Sequence, residues 1–399
     1  MTKILQIGAY LAPNLVGGAE VSAREIAGQL RSAGCQVIGF SSAVNNERKG
    51  AKVVYSSSIH RSTALARLTG YKKYLYYLLE QVNLWPAIKV FLLIKRARID
   101  LVLVHSWRGL GEWLPTAVLM SGRPVIFVLP DFAFVCLNKG ARRNDRNCSQ
   151  QCLDCGLSSR LRIALARRRN AVCFVAPSAA HAEAVKRLAG GALDVTVIHN
   201  PNKYTVKSRT RLPVTRLQFG YVGRLEEDKG FSTFLALARK FADRARFVVA
   251  GEGAMVAEAE ASAASGYIRY LGQVSKSQIC DVYDSLDALL VPSKWRENFP
   301  GVCVEALLSG LPVIGSAIGG IPEIIKDQVT GRLLPPDDIG KWEQVLEEIV
   351  SAPALIEDYS RNALSEGARF DPAASLSRYR DLVRQMTAKY PRLIAASGT

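Results

Sequence analysis

Glu297 and Glu305 stand eight residues apart in Pro292-Ser293-Lys294-Trp295-Arg296-Glu297-Asn298-Phe299-Pro300-Gly301-Val302-Cys303-Val304-Glu305-Ala306. A strand-like apolar run precedes this stretch, and a helix is expected to open within it. The spacing puts Glu297 in the loop and Glu305 about one turn inside the helix, with the first helical N–H groups between them. Those N–H groups and the helix dipole favour an anion, while the carboxylates accept hydrogen bonds from hydroxyls on either side. A ligand with an anionic centre and hydroxyls at both ends, such as a nucleotide-activated sugar, suits that layout. A polar loop followed by an ordinary solvated glutamate explains the same letters, so spacing alone does not decide.

Two cations occur in a comparable place upstream, in Gly223-Arg224-Leu225-Glu226-Glu227-Asp228-Lys229-Gly230. Arg224 as a fork and Lys229 as a point charge are suited to clamp a diphosphate. Three acids lie between them, so local charge pairing in a solvated loop is the plain alternative. Near the N-terminus, Gly17-Gly18 forms a turn that lets backbone approach a phosphate or a sugar. Gly251-Glu252-Gly253 and Gly319-Gly320 end apolar runs in similar places.

These loops need elements to hold them. Short Val/Ile-rich runs alternate with helical patterns along the whole chain: Ile4–Tyr10, Gln36–Ser41, Lys52–Tyr55, Leu101–His105, Val125–Leu129, Val172–Pro177 and Val195–His199, then Leu217–Val222, Arg246–Ala250, Ile268–Leu271, Ala288–Val291, Val313–Ser316 and Gly331–Leu334. Runs of this length separated by helices predict parallel sheets covered on both faces. Two such series predict an α/β protein of two doubly wound, Rossmann-like halves. Its 399 residues are long for one core. The break falls at Asn200–Pro213, giving an N-terminal domain of residues 1–205, a C-terminal domain of 206–370 and a closing helical segment of 371–399. In open parallel sheets ligands bind beyond the carboxyl ends of the strands, where the loops above lie.

The net charge is +17, with the excess confined to one half. Residues 1–211 carry 31 Lys/Arg and 11 Asp/Glu, whereas residues 212–399 carry 21 and 24. Such asymmetry points to an anionic partner of the first half: a lipid leaflet, a lipid diphosphate or nucleic acid. A generally basic solubility design is the alternative. Within Arg61–Arg98, cations alternate with Tyr71, Tyr74, Trp85, Phe91 and leucines, a composition that fits helices lying on an anionic leaflet. No recognisable nucleic-acid module accompanies the charge. The N-terminus reads as a buried strand and not as a signal peptide, so a cytoplasmic protein with mostly reduced cysteines is expected. Cys136, Cys148, Cys152 and Cys155 fall in one excursion and offer enough thiolates for a structural metal, although the spacing matches no standard zinc pattern.

Together these features resemble the nucleotide-sugar-dependent glycosyltransferases of the GT-B fold, specifically the retaining group 1, or family 4, enzymes. The resemblance rests on Gly223-Arg224 with Lys229-Gly230, Gly251-Glu252-Gly253, Leu271-Gly272-Gln273-Val274, the Glu297-to-Glu305 element, Gly315 through Glu323, Thr330-Gly331, and the Gly17-Gly18 turn. It implies two domains facing across a cleft. It implies that Arg224 and Lys229 neutralise the donor diphosphate, Glu305 holds the ribose and Glu297 touches the transferred sugar. Phe299, Gly301 and Val302 would approach sugar and diphosphate through backbone N–H groups, Val274 would lie near the base, and Gly17 and Gly18 near the phosphates. No Asp-x-Asp pair occurs in the chain, which agrees with metal-free hexosyl transfer needing no cofactor. A polysaccharide, lipopolysaccharide or lipid-linked acceptor at the cytoplasmic membrane face is implied, with Pro372–Met386 crossing back to the first domain. A non-catalytic sugar-nucleotide-binding subunit and a nucleic-acid-binding protein are the competing readings. One departure stands out: where many relatives carry a histidine after the strand matching Val125–Leu129, this chain has Pro130 and Asp131. Asp131, or His105 one strand earlier, is then the candidate for contact with substrate.

Overall fold

The computed structural model describes residues 1–9, 11, 18–42, 53–55, 80–143, 146–201, 216–275 and 277–391. Gly17, most of the basic segment before Glu80 and the expected domain break after Pro201 lie outside them. The chain divides into two compact units, residues 1–202 with 372–399, and residues 203–371.

The first unit is a seven-stranded sheet in the order β3-β2-β1-β4-β5-β8-β9. Its strands are β1 (Lys3–Gly8), β2 (Gln36–Ser41), β3 (Val53–Tyr55), β4 (Leu101–Val104), β5 (Val125–Val128), β8 (Val172–Ala176) and β9 (Val195–Val197). Every pairing in it is parallel. β4 and β5 are buried at every residue, as expected of strands packed between helix layers. One layer contains α2 (Trp85–Arg96), α3 (Leu114–Met120), α4 (Leu153–Arg167) and α5 (Ala179–Leu188), which cover a core of Val90, Ile94, Val104, Phe127, Phe174 and Val185. On the other face lies α1 (Gly18–Ser32). The last helix of the chain buries Leu376, Tyr379, Val383 and Met386 against Ile26, Leu30, Leu101 and Ile126 of that face.

The second unit repeats the plan with six parallel strands in the order β12-β11-β10-β13-β14-β15. These are β10 (Gln218–Val222), β11 (Arg246–Ala250), β12 (Arg269–Tyr270), β13 (Ala288–Val291), β14 (Val313–Ser316) and β15 (Gly331–Leu334). Its helices are α6 (Phe231–Phe241), α7 (Val256–Ala264), α8 (Ile279–Ser285), α9 (Gly301–Leu308), α10 (Ile321–Ile324), α11 (Ile339–Ser351) and α12 (Ala354–Gly367), followed by α13 (Pro372–Lys389), which belongs to the first unit. The structure thus matches the predicted α/β class strand for strand. The order reverses between β1 and β4 and between β10 and β13, so each unit has a switch point where diverging connections open a crevice.

The cysteine excursion carries regular structure. It contains a short antiparallel hairpin, β6 (Arg142–Arg143) with β7 (Arg146–Asn147), and α4 starts within it at Leu153. The excursion is fixed by buried charge. Lys139 Nζ lies 3.4 Å from Glu80 Oε2 and 3.3 Å from Glu112 Oε1, and Arg162 Nη1 lies 3.1 Å from Glu112 Oε2. Arg162 also donates to the carbonyls of Phe134 and Ala133. Among the described residues, no helix is long and apolar enough to cross a membrane.

Candidate active site

In the second unit the loops after β10 and β13, neighbours at the switch point, are joined to each other. The β10 loop forms one 3₁₀ turn at Glu227–Lys229, ended by Gly230 in the left-handed conformation at φ 73°. A side chain at Gly230 would put its Cβ 1.7 Å from the carbonyl oxygen of Pro292. Glycine therefore lets the two loops touch. Across the contact, Asp228 accepts backbone hydrogen bonds from Lys294 and Trp295, both at 3.0 Å.

This close approach brings Lys229 to Glu297. Lys229 Nζ donates to Glu297 Oε1 at 2.7 Å, and Ser293 Oγ donates to the same oxygen at 2.7 Å. The Lys229 ammonium also lies 5.8 Å from the centre of the Trp295 ring. A third strand end supports Glu297 from behind. Gly319, at φ 60° after β14, would place a Cβ 2.2 Å from the Glu297 carbonyl oxygen, and Gly320 N–H donates to that oxygen at 2.7 Å. Gly319→Ala is expected to displace Glu297 and lower donor turnover about 10²-fold with the fold retained, checked by steady-state kinetics beside a thermal melt.

Four residues past Glu297, α9 begins at Gly301. Its N-cap is Pro300, which has no side-chain hydrogen bond to offer, so the first N–H groups of this eight-residue helix carry no side-chain cap. Phe299, buried just before it, packs edge-on against Phe370 at 5.8 Å. Gly301 and Val302 form the first turn. Glu305 follows on α9, and its Oε2 accepts a 2.6 Å hydrogen bond from the hydroxyl of Tyr283 on α8. Val274, in the loop after β12, is partly buried against the same core.

Arg224 behaves differently from its sequence reading. Its guanidinium is exposed and engages Glu226, while Lys229 is the cation that, among the described residues, pairs with Glu297. The intervening acids explain this, because Glu226 is nearer along the chain than any site carboxylate. Sequence reasoning missed Ser293 and Tyr283. Ser293 lies four residues before Glu297 and was legible as a possible partner. Tyr283 is brought to Glu305 only by the packing of α8 on α9, and no local pattern signals that.

The first unit places its candidates separately. Gly18 is exposed at the first position of α1. His105 closes β4 at that unit's switch point and is buried, with its Nε2 3.0 Å from the Gln6 side-chain amide. Burial pushes its imidazole down to about 3, so it is neutral at any working pH. Gln6 then donates to Nε2. Asp131 follows β5, and its Oδ1 accepts from Ala133 N–H at 2.8 Å. Burial raises its carboxyl above the ordinary range, against the pull of Ala133, Lys139 and Arg108. The neighbouring cysteines form an S–H···S pair, with Cys155 and Cys136 sulfurs 3.7 Å apart. The hydrogen bond from Cys155 outweighs burial and brings the Cys136 thiol down to about 7. No disulfide joins the four. Among the described residues no group of three or more His, Cys, Asp or Glu side chains is arranged to hold a metal.

Residues 203–367 match the model of glycosyl transferases group 1, and residues 16–201 match that of glycosyltransferase family 4. The chain belongs to the group 1, family 4 glycosyltransferases. A D-inositol 3-phosphate glycosyltransferase of Mycolicibacterium smegmatis is 29% identical over 214 residues, which is 50% of this chain and 48% of that protein. The match thus spans about half the length of that relative. Among solved structures, sucrose-phosphate synthase from Thermosynechococcus elongatus superposes with a TM-score of 0.74 at 18% identity, covering 98% of this chain and 100% of that one. Anabaena HepE, solved in complex with UDP-glucose, gives 0.68 at 18% identity, covering 96% and 100%. At such identity these likenesses establish the GT-B fold. The second unit carries its family motifs on adjoining strand ends.

Proposed function

We propose that this glycosyltransferase moves a sugar, with retention of anomeric configuration and without a metal, from a nucleoside-diphosphate sugar to a growing polysaccharide, lipopolysaccharide or lipid-linked acceptor at the cytoplasmic membrane face. The observation that carries the reading is the Lys229–Glu297 pair beside the uncapped start of α9, with the Tyr283-held Glu305 about one turn on. The diphosphate lies at the helix N-terminus, where N–H groups and Lys229 receive the charge that develops as the glycosidic bond breaks. On binding, Lys229 turns from Glu297 to the diphosphate. Arg224 leaves Glu226 to join it as a second cation. Glu297, still held by Ser293, then accepts from hydroxyls of the transferred sugar, and Glu305 accepts from the ribose. Backbone groups of Phe299, Gly301 and Val302 border sugar and phosphates, and Val274 borders the base.

Asp131 and His105 differ in what they offer. His105, neutral and engaged by Gln6, supports the strand end. Asp131 is the better candidate to accept a hydroxyl hydrogen bond. Retention follows if the acceptor attacks the face that the diphosphate leaves, a route that needs no enzymic nucleophile.

Two measurements test the reading. Donor hydrolysis in the absence of acceptor, followed by proton NMR before mutarotation, should yield first the anomer present in the donor. Release of the opposite anomer first would overturn retention. Turnover should survive EDTA, and its loss with recovery on adding a divalent cation would overturn the metal-free site. A further expectation concerns Tyr283→Phe. Losing a hydrogen bond to a carboxylate costs about 1.5–3 kcal/mol, so KM for donor should rise roughly tenfold or more while kcat stays close to wild type. A fall in kcat with unchanged KM would place Glu305 elsewhere in the cycle.

A further inference from the structure

The outward face of the α2–α3–α4 layer carries large apolar side chains that no described residue covers. On α4, Leu153, Leu157 and Leu161 recur every fourth residue, one stripe along the helix, with exposures of 85%, 73% and 48%. On α2, Trp85, Ile88 and Leu92 are exposed on a similar spacing. α3 packs between α2 and α4 and adds exposed Trp113 and Met120 at its two ends. Exposed leucines occur singly on any protein. Two stripes on helices of one layer form a patch that calls for a partner.

The charge around the patch selects that partner. Lys95, Arg96, Arg143, Arg146, Arg160 and Arg167 are exposed on or beside these helices. Among the described residues from 80 to 169, Asp154 is the one exposed carboxylate, since Glu80 and Glu112 are buried against Lys139 and Arg162. Lys89 and Lys95 lie against the rings of Trp85 and Phe91 at 5.3 and 5.8 Å, so the cations flank the apolar side chains directly. A second copy of this chain is a poor occupant, because a twofold contact would press the basic rim against itself. Nucleic acid would meet the cations but would leave the leucine stripe in water.

We infer that this face docks on an anionic lipid bilayer, with the α2 and α4 stripes entering the headgroup–acyl boundary and the basic rim meeting lipid phosphates. The inference rests on the proposed membrane-bound acceptor only for its purpose, and it names the surface that holds the enzyme there. It adds the leucine stripe of α4 to the basic surface expected from Arg61–Arg98 and from Arg142, Arg143, Arg146, Arg167, Arg168 and Arg169.

The test is sedimentation of the full chain with phosphatidylglycerol-containing and with pure phosphatidylcholine vesicles at physiological ionic strength. The comparison protein carries Leu153→Ser, Leu157→Ser and Leu161→Ser together. Wild type should sediment with the anionic vesicles, and the triple variant should lose about tenfold or more in partitioning. Nucleoside diphosphate release from free donor should be the same in both proteins, which also shows that the variant is folded. Three results would overturn the inference: no wild-type binding to anionic vesicles, equal binding by the variant, or retention on single-stranded RNA without vesicle binding. Loss of donor turnover in wild type would instead sink the donor-site reading and leave the vesicle result standing.

Discussion

Lys229→Ala should lower nucleoside diphosphate release by about 10²–10³-fold, the scale seen when one fixed electrostatic donor is removed from developing transition-state charge. Two effects combine in that value. The diphosphate loses the cation that the structure holds beside Glu297 at 2.7 Å. Glu297, 9% exposed, also loses its counter-charge and keeps only Ser293 on that oxygen. Its carboxylate then faces an incoming anion uncompensated, so donor affinity and turnover fall together. Lys229→Arg should recover only part of the activity, because the fork is broader than the ammonium that fits between Glu297 and Trp295. Arg224→Ala should be milder, since that guanidinium starts out exposed on Glu226 and must be recruited. Steady-state release assays on the three variants check the order, and equal losses for Arg224 and Lys229 would contradict it.

The second large effect is on stability. Glu112→Ala should destabilise the first unit by about 3–5 kcal/mol, the usual cost of leaving buried charge without its partner. Lys139 and Arg162 both depend on Glu112, and Arg162 in turn fixes the carbonyls of Ala133 and Phe134 behind Asp131. Burial by itself would raise the Glu112 carboxyl, yet Lys139 and Arg162 hold it below its ordinary value. A depressed carboxylate contributes fully above its unfolded pKa, and the contribution is lost as pH falls through the folded one. Burial would likewise lower Lys139, but Glu112 and Glu80 hold it above its ordinary value. That share is present below the unfolded lysine pKa and lost as pH rises through the raised one. The gap in melting temperature between wild type and Glu112→Ala should therefore be wide at neutral pH, about 10 °C, and shrink below the ordinary carboxylate range. A constant gap down to strongly acidic pH would contradict the assignment.

Much of this was legible because parallel strands buried on both faces have a strong signature. All thirteen apolar runs became strands, within two residues at each end, and the site loops follow their carboxyl ends as the switch-point rule requires. That Glu297 sits in a loop and Glu305 about one turn into a helix was legible from spacing, since a loop and a helix start fix their separation locally, whereas their proposed roles came from the family resemblance. The missed features depend on contacts distant in sequence. Tyr283 reaches Glu305 through helix packing, and Gly319 supports Glu297 from another strand end. The β6–β7 hairpin was hidden because two-residue strands carry no periodicity, and the Asn138 side chain that donates to the Arg142 carbonyl gives no local pattern either. Arg224 was assigned with Lys229 from its position in the motif, whereas side-chain pairing with Glu226 is settled by local competition.

The most direct test of the donor site is nucleoside diphosphate release from a panel of UDP-, GDP- and ADP-sugars, with Lys229→Ala and Glu297→Ala measured alongside wild type. The expected result is release from one donor, lost in both variants while nucleotide-independent folding is unchanged. Neither release nor nucleotide binding with any donor, or full activity in both variants, would contradict the site built on Lys229, Glu297 and α9.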